Sequence, residues 1–531
     1  MSQLSLELNF WTSILLLVSA LFALTAVFKR DLMMLQLNSY RNERYLRWFN
    51  QSNESTAIFR IIACIALFLI LVRRFPFFFT GGASAIALIW IAILQFRKKY
   101  KKPLVFTKRA VRIYVTMWIL SAIIIVLPAG LTMSVYNGCA TAILLVVVSP
   151  FILLLSNLIL KPVEQHINKK YYNEAKAILQ SMPDLKIVGV TGSYGKTSTK
   201  HYLHRILSEK YDVMMTPGSY NTTLGVIRTV REYLKPYNEV FIVEMGAKQR
   251  GDIKEICDLV HPSIGIVTAV GEQHLESFKT IENIRDTKFE LIDSLPADGL
   301  AVVNNDFPMS AAREVKNVEC IRYGVSNADH ADLRAVDIVM DERGTSFTVE
   351  GAGEIMRLHT KLVGECNISN LLSAIAVALR LGVEPEKIAY AVEKIEQVEH
   401  RLNIKRIPGG LTIIDDAFNS NPTGSKMAID VLSVMNKGKR IVITPGMIEL
   451  GERQYELNKE FGKKMAGNCD IVIIVGEYNR YSILEGLEEG GMDMNNVLTP
   501  DTFAQAQAEL GKIATAGDTV LYENDLPDTF K

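Results

Sequence analysis

The sequence predicts two architectures in one chain: an α-helical membrane region over residues 1–165, then an α/β portion built on parallel sheets. Three observations predict this. Long apolar runs with almost no charge are confined to the first third of the chain. From Lys186 onward, short β-branched runs alternate with helical patterns, the texture of parallel sheets. Between the two textures, Gly189-Val-Thr-Gly-Ser-Tyr-Gly-Lys-Thr-Ser198 joins a strand to a helix through a glycine-rich turn. A length of 531 residues, at roughly 150 per domain, predicts about three domains. With 58 Lys+Arg against 57 Asp+Glu, the chain lacks the basic surface of a nucleic-acid binder. The six cysteines are far apart with no CxxC pair, which excludes a zinc ribbon and a disulfide scaffold. Reduced thiols in a cytosol-facing protein are the expectation.

Five apolar runs lie at residues 10–28, 57–72, 75–96, 115–128 and 140–160. A span needs roughly 20 apolar residues. The first, third and fifth suffice alone, and the other two need flanking residues. A cleaved signal peptide is excluded, because residues 1–9 carry no Lys or Arg and further apolar runs follow. Lys29, Arg30, Arg41, Arg44 and Arg47 separate the first two runs, and Arg60 stands at the start of the second. A dense basic stretch from Arg97 to Arg112 separates the third and fourth, and Lys161, Lys169 and Lys170 follow the fifth. Only Arg73 and Arg74 dissent. The positive-inside rule then gives an outside N-terminus, five crossings and a cytoplasmic remainder. No ionisable residue lies near the middle of a run, so anchoring is expected rather than transport.

Strands are expected at residues 186–190, 240–243, 264–268, 300–303, 412–414, 441–444, 471–475 and 519–521. Residues 332–362 alternate apolar and polar positions and read as an antiparallel insertion. Pro408-Gly409-Gly410 breaks the chain, which divides this portion into residues 166–406 and 407–531.

The turn after Gly189 is a phosphate cradle of the Thr-Gly-x-x-Gly-Lys-Thr kind, since Val190 replaces the first glycine of the longer P-loop. Its backbone N–H groups and the following helix N-terminus favour phosphate. Thr191, Gly192, Ser193, Gly195 and Ser198 build the cradle, Lys196 reaches the β/γ-phosphates, and the Thr197 hydroxyl ligates Mg²⁺. Glu244 and His274 follow later strands, where ligands of doubly wound sheets gather. A carboxylate suits Mg²⁺; an imidazole suits it less well.

Six motifs then occur in a fixed order: Thr191-Gly-Ser-Tyr-Gly-Lys-Thr, Glu244-Met-Gly-Ala, Gly271-Glu-Gln-His-Leu-Glu, Gly364-Glu-Cys-Asn-Ile-Ser-Asn, His400-Arg-Leu and Asp415-Asp-Ala-Phe-Asn-Ser-Asn-Pro422. In that order they resemble the Mur ligases, ATP-dependent amide ligases of peptidoglycan precursor synthesis, and within them the D-alanyl-D-alanine-adding branch. The resemblance runs from about Lys186 to Leu521. It implies a P-loop central domain, a Rossmann-like C-terminal domain, and ATP with two Mg²⁺ ions. It also implies roles: Lys196 and Thr197 on the phosphates and first metal, Glu244 on that metal, and His274 on the second. Lys288 stands where the family carries a carbamylated lysine, which turns an ammonium into a carboxylate-like ligand. Asn367 would face the adenine, Arg401 the phosphates and Asp416 the ribose, while residues 419–422 would shape the domain interface.

The chemistry so implied activates a carboxylate as an acyl phosphate, which an amine captures with release of ADP and phosphate. Such a reaction needs no protein nucleophile, and no Ser-His-Asp or Cys-His arrangement stands out in the chain. Departures are visible: Phe418 stands where a tyrosine is usual, Cys366 where a histidine is usual, and Pro445-Gly446 where the family has Gly-Asp. Membrane runs stand where the branch has a small uridine-nucleotide-binding domain. The family's late Lys-Gly-Ser-Arg segment is absent, the chain reading Tyr522-Glu-Asn-Asp-Leu-Pro-Asp-Thr-Phe-Lys531 there. The expectation is therefore a multi-pass bacterial membrane protein with cytoplasmic catalytic domains. It would join an amino acid or dipeptide to a small-molecule or lipid-linked peptide precursor, beside other cell-envelope enzymes. The alternatives are a ligase for a polyglutamate-like or other non-murein peptide, and a transporter with a regulatory nucleotide-binding module.

Overall fold

The computed structural model describes residues 3–525 apart from 53, 73, 74, 99, 101, 133, 328, 329, 342, 352 and 419. Arg73, Arg74, Lys99 and Lys101, which bear on orientation, and Asn419 therefore lie outside the described residues. The chain forms two compact units, one ending at Lys169 and one covering Lys170–Asp525.

The first unit is helical: α1 (Gln3–Leu37), α2 (Asn42–Gln51), α3 (Ile58–Leu71), α4 (Phe77–Arg97), α5 (Lys108–Thr132) and α6 (Val135–Gln180). Four of them, α1, α4, α5 and α6, are long and apolar enough to cross a membrane. The run at 115–128 becomes a full-length helix because residues 108–114 extend it. The run at 57–72 becomes only the 14 residues of α3, short of the roughly 20 needed for a span. The amphipathic α2, which no apolar run announced, buries Tyr45 and Trp48. Helix α1 outruns its apolar stretch, so its last turns carry Arg30 and Asp31 into a buried cluster with Arg60. Ser149 donates to Asp31 at 2.6 Å, and Arg60 donates to the Val147 carbonyl at 2.7 Å. That carbonyl adjoins the one Pro150 leaves without a helical donor, and re-satisfying such groups is what low-dielectric packing demands.

The second unit begins within α6, where Ala175 is buried and Arg231 pairs with Glu174 at 2.8 Å. Its larger sheet has the order β2-β3-β1-β4-β5-β6-β7-β8-β9. The strands are β1 (Lys186–Thr191), β2 (Val213–Met215), β3 (Val240–Glu244), β4 (Ile264–Val267), β5 (Leu300–Asn304), β6 (Glu319–Gly324), β7 (Leu333–Asp341), β8 (Gly344–Gly351) and β9 (Glu354–Thr360). The first seven run parallel, and the last two add antiparallel edges. Strands β3, β4 and β5 are buried along their whole length, and β1 along nearly all of it, as near-continuous apolar runs require. Because β1 lies between β3 and β4, the chain departs to opposite sides of it, which opens a crevice at the carboxyl ends. The alternating segment 332–362 is antiparallel as expected and extends this same sheet.

The smaller sheet has the order β10-β11-β15-β12-β13-β14, with β10 (Asn403–Arg406), β11 (Thr412–Asp416), β12 (Arg440–Thr444), β13 (Ile471–Ile474), β14 (Val497–Leu498) and β15 (Thr519–Glu523). All its pairings are parallel except β10 with β11. Pro408-Gly409-Gly410 turns that antiparallel hairpin, so the second sheet begins at Asn403, just before the expected break.

Candidate active site

Strand β1 delivers Thr191 to the crevice, and its hydroxyl donates to the Met245 carbonyl at 2.9 Å. The Ser193 N–H donates to the Ala269 carbonyl at 2.8 Å, and its hydroxyl donates to the Gly271 carbonyl at 2.8 Å. These bonds clamp the loop to the chain leaving β4. Two glycines are obligatory. A Cβ on Gly192 would lie 2.0 Å from Thr268 Oγ1, and one on Gly195 would lie 2.3 Å from Asn370 Oδ1. Gly195, at φ 79°, also caps the helix α7 (Lys196–Leu207) in the left-handed region. The start of α7 therefore follows the loop directly, with Ser198 buried in its first turn. Lys196 Nζ folds back over the loop and donates to the Gly192 carbonyl at 2.6 Å. Burial, aided by Arg401 and opposed by Glu244, lowers its ammonium to about 8.

Glu244 ends β3 and is almost completely buried. Thr197 donates to its Oε1 at 3.2 Å, and Asn221 donates to the same oxygen at 3.0 Å. Lys200 Nζ lies 3.0 Å from Oε2 and donates to the Gly218 carbonyl at 2.6 Å. Burial alone would raise this carboxyl, but Lys200, Lys196 and Asn221 outweigh it and hold it below its ordinary range. Sequence reasoning missed Lys200 and Asn221. Lys200 was legible, three residues after Thr197 and thus on one helical face with it.

His274, at φ 52°, gives its Nδ1 to Glu449 from the C-terminal domain. Lys288 lies on the helix over residues 281–293, whose start Thr280 caps by accepting the Asn283 N–H at 3.2 Å. It is buried, and desolvation with nearby Lys196 holds its ammonium well below the ordinary lysine value. Lys288 also bears electrostatically on His274, and Lys196 on both Lys288 and Glu244. The four side chains thus form one electrostatic neighbourhood around the loop.

Asn367 is placed differently from the simplest expectation. Its amide accepts from the Tyr202 hydroxyl at 2.8 Å and donates to the Val363 carbonyl at 2.9 Å, so it sits buried beneath α7. Arg401 stacks on the Phe418 ring at 4.4 Å, within reach of Asp416 and Glu244. Asp416 accepts the Leu402 N–H at 3.2 Å. It stands opposite Glu523 in the β11–β15 register. Burial raises both carboxyls; Asp416 raises Glu523 further, and Arg401 opposes the rise at Asp416. Glu523, a further residue that sequence reasoning missed, also accepts from Ser425 at 2.8 Å.

Among the described residues no three His, Cys, Asp or Glu side chains form a metal cage. The donors present fit Mg²⁺ all the same, since that ion takes one or two carboxylates and fills its shell with phosphate and water oxygens. Thr197 and Glu244 supply one such pair.

Residues 190–378 match the Mur ligase middle domain, and residues 400–522 match the Mur ligase glutamate ligase domain. The UDP-N-acetylmuramoyl-tripeptide–D-alanyl-D-alanine ligase of Bacillus subtilis (strain 168) is 32% identical over 315 residues, covering 59% of this chain and 67% of that protein. The enzyme of that name from Escherichia coli (strain K12) is 27% identical over 333 residues, 62% of this chain and 73% of its own. Crystal structures of MurF from Acinetobacter baumannii and of MurF from Thermotoga maritima with ADP superpose with TM-scores of 0.62 and 0.61. Each is 25% identical and covers 67% of this chain, with 77% and 80% of the respective structures matched. With its loop, acid and helix arrangement and these matches, the chain belongs to the Mur ligase family of ATP-dependent, ADP-forming ligases.

Proposed function

We propose that the protein is a membrane-anchored amide ligase that joins D-alanyl-D-alanine, or a related amino acid or dipeptide, to a carboxylate of a cell-envelope peptide precursor. The observation that carries this reading is the buried Thr197–Glu244–Lys200 cluster beside the glycine loop, at the carboxyl end of β3. A carboxylate is a poor electrophile. Its oxygen attacks the γ-phosphorus of ATP, ADP leaves, and an acyl phosphate results. The amine lone pair then attacks the carbonyl carbon, the nitrogen sheds its proton, and the tetrahedral centre expels inorganic phosphate.

Lys196 and the loop N–H groups hold the phosphates, and Arg401 adds positive charge nearby. Thr197 and Glu244 would hold the first Mg²⁺, and His274 with carbamylated Lys288 the second. Bound there, the ions neutralise charge that develops on the transferred phosphoryl group. A neutral Lys288 amine, favoured by its burial, is the form that adds CO₂. Asp416 would take the ribose, and Asn367 would brace the adenine side from beneath α7.

The four long apolar helices support a bilayer anchor, and Lys161, Lys169 and Lys170 after the last apolar run support catalytic domains in the cytoplasm. They also support a lipid-linked acceptor or placement beside other envelope enzymes. The decisive experiment is an ADP-release screen of the purified protein. It crosses D-alanyl-D-alanine and single amino acids with UDP-linked and lipid-linked acceptors. Turnover that requires both an amine and a peptide carboxylate is expected; ADP release indifferent to either would sink the proposal.

A further inference from the structure

His274 and Glu449 come from different domains, and both adopt a backbone conformation that side-chain-bearing residues rarely take. Their φ angles are 52° and 62°, in the left-handed region. Such strain persists only where the surroundings over-determine it, and it collects at functional sites. Here the surroundings are two loops fitted to each other. The Glu276 N–H donates to the Glu449 carbonyl at 3.2 Å, and Arg453 pairs with Glu272. Leu275 and Leu450 are buried in one apolar cluster. The Glu449 side chain then reaches His274 Nδ1, while Lys248 Nζ lies 3.8 Å from its other oxygen. His274 Nε2 has no hydrogen-bond partner among the described residues.

A carboxylate on one imidazole nitrogen fixes the tautomer and ring orientation and makes the other nitrogen a better donor to a cation. We infer that Glu449 is a positioning residue. By accepting the His274 Nδ1–H it aims Nε2 at the metal–phosphate centre, so that the C-terminal domain completes that centre when its loop is docked. This deepens the proposed function and rests on it: the second cation is the group His274 would serve.

The test uses Mn²⁺ as probe, read by electron paramagnetic resonance on the full-length protein with a non-hydrolysable ATP analogue, and needs no turnover. Glu449→Ala is expected to weaken one Mn²⁺ site by about 10- to 100-fold, as loss of such an orienting carboxylate does elsewhere. Glu449→Gln, which keeps an acceptor for the Nδ1–H, should lose less. Arg453→Ala removes a neighbouring tether between the same loops and should leave Mn²⁺ affinity unchanged. In ¹⁵N-histidine spectra, the wild type should show His274 protonated at Nδ1, and Glu449→Ala should lose that preference. Equal Mn²⁺ affinity in wild type and Glu449→Ala would overturn the inference while leaving the ligase reading intact. Equal losses in Arg453→Ala and Glu449→Ala would overturn it in favour of plain loop docking. A wild type that binds the nucleotide but no second Mn²⁺ would overturn both.

Discussion

Lys200 Nζ lies 3.0 Å from Glu244 Oε2, and neither side chain is open to solvent. A carboxylate in such a place is tenable only while its countercharges remain. Lys200→Met should therefore destabilise the second unit by about 3–5 kcal/mol, the usual result of orphaning a buried charge. Thermal denaturation would register it, and an unchanged melting curve would contradict the assigned partnership.

Lys196→Ala should leave the fold intact and lower kcat for amine-dependent ADP release by about 10²- to 10³-fold, the scale of losing one preorganised donor at developing charge. Steady-state ADP assays on protein with wild-type circular dichroism provide the check. Turnover like that of the wild type would remove the cradle assignment.

The Lys196 ammonium, lowered to about 8 by burial, sets a pH limb. Phosphate binds the protonated form, so binding strengthens as Lys196 gains its proton and weakens as it loses it. Nucleotide affinity should be level below about pH 8 and decline above it. Lys196→Arg, whose guanidinium stays charged, should move that decline to higher pH. Isothermal titration with an ATP analogue across this range decides the matter.

Lys288→Ala should be nearly inactive and partly restored by a small carboxylate such as formate or acetate. Intact-protein mass spectrometry in bicarbonate should find the wild type carrying one CO₂ adduct that Lys288→Ala lacks. An unimpaired variant would dismiss the carbamate.

Glu523 supplies a stability test. Burial and Asp416 raise its folded-state value above the ordinary 4.5. Over the interval between those values the folded chain binds more protons than the unfolded one, so stability falls as pH rises through it. Glu523→Gln should flatten that slope, and urea denaturation at several pH values would reveal whether it does.

Much of this was written in local order. The glycine loop, the strand before it and the helix after it are contiguous, so spacing alone places Lys196 and Thr197 at the end of that loop. Glu244 was legible because it ends an apolar strand. Helix α3 was harder, since hydropathy marks an apolar run but not where the helix stops. The Pro408-Gly409-Gly410 break reads as a boundary, yet a turn between two strands of one hairpin has the same composition.

By itself the sequence determined the division into long apolar helices and an α/β portion, and the glycine-rich loop, because each depends on periodicity or on residues adjacent in the chain; the order of its motifs carried the family. Tertiary structure alone decided which groups face one another: Lys200 against Glu244, Glu523 against Asp416, Glu449 against His274. The reason is physical. A residue's charge state and orientation depend on what burial brings within a few ångströms of it, and for His274 and Glu449 the partners are 175 positions apart.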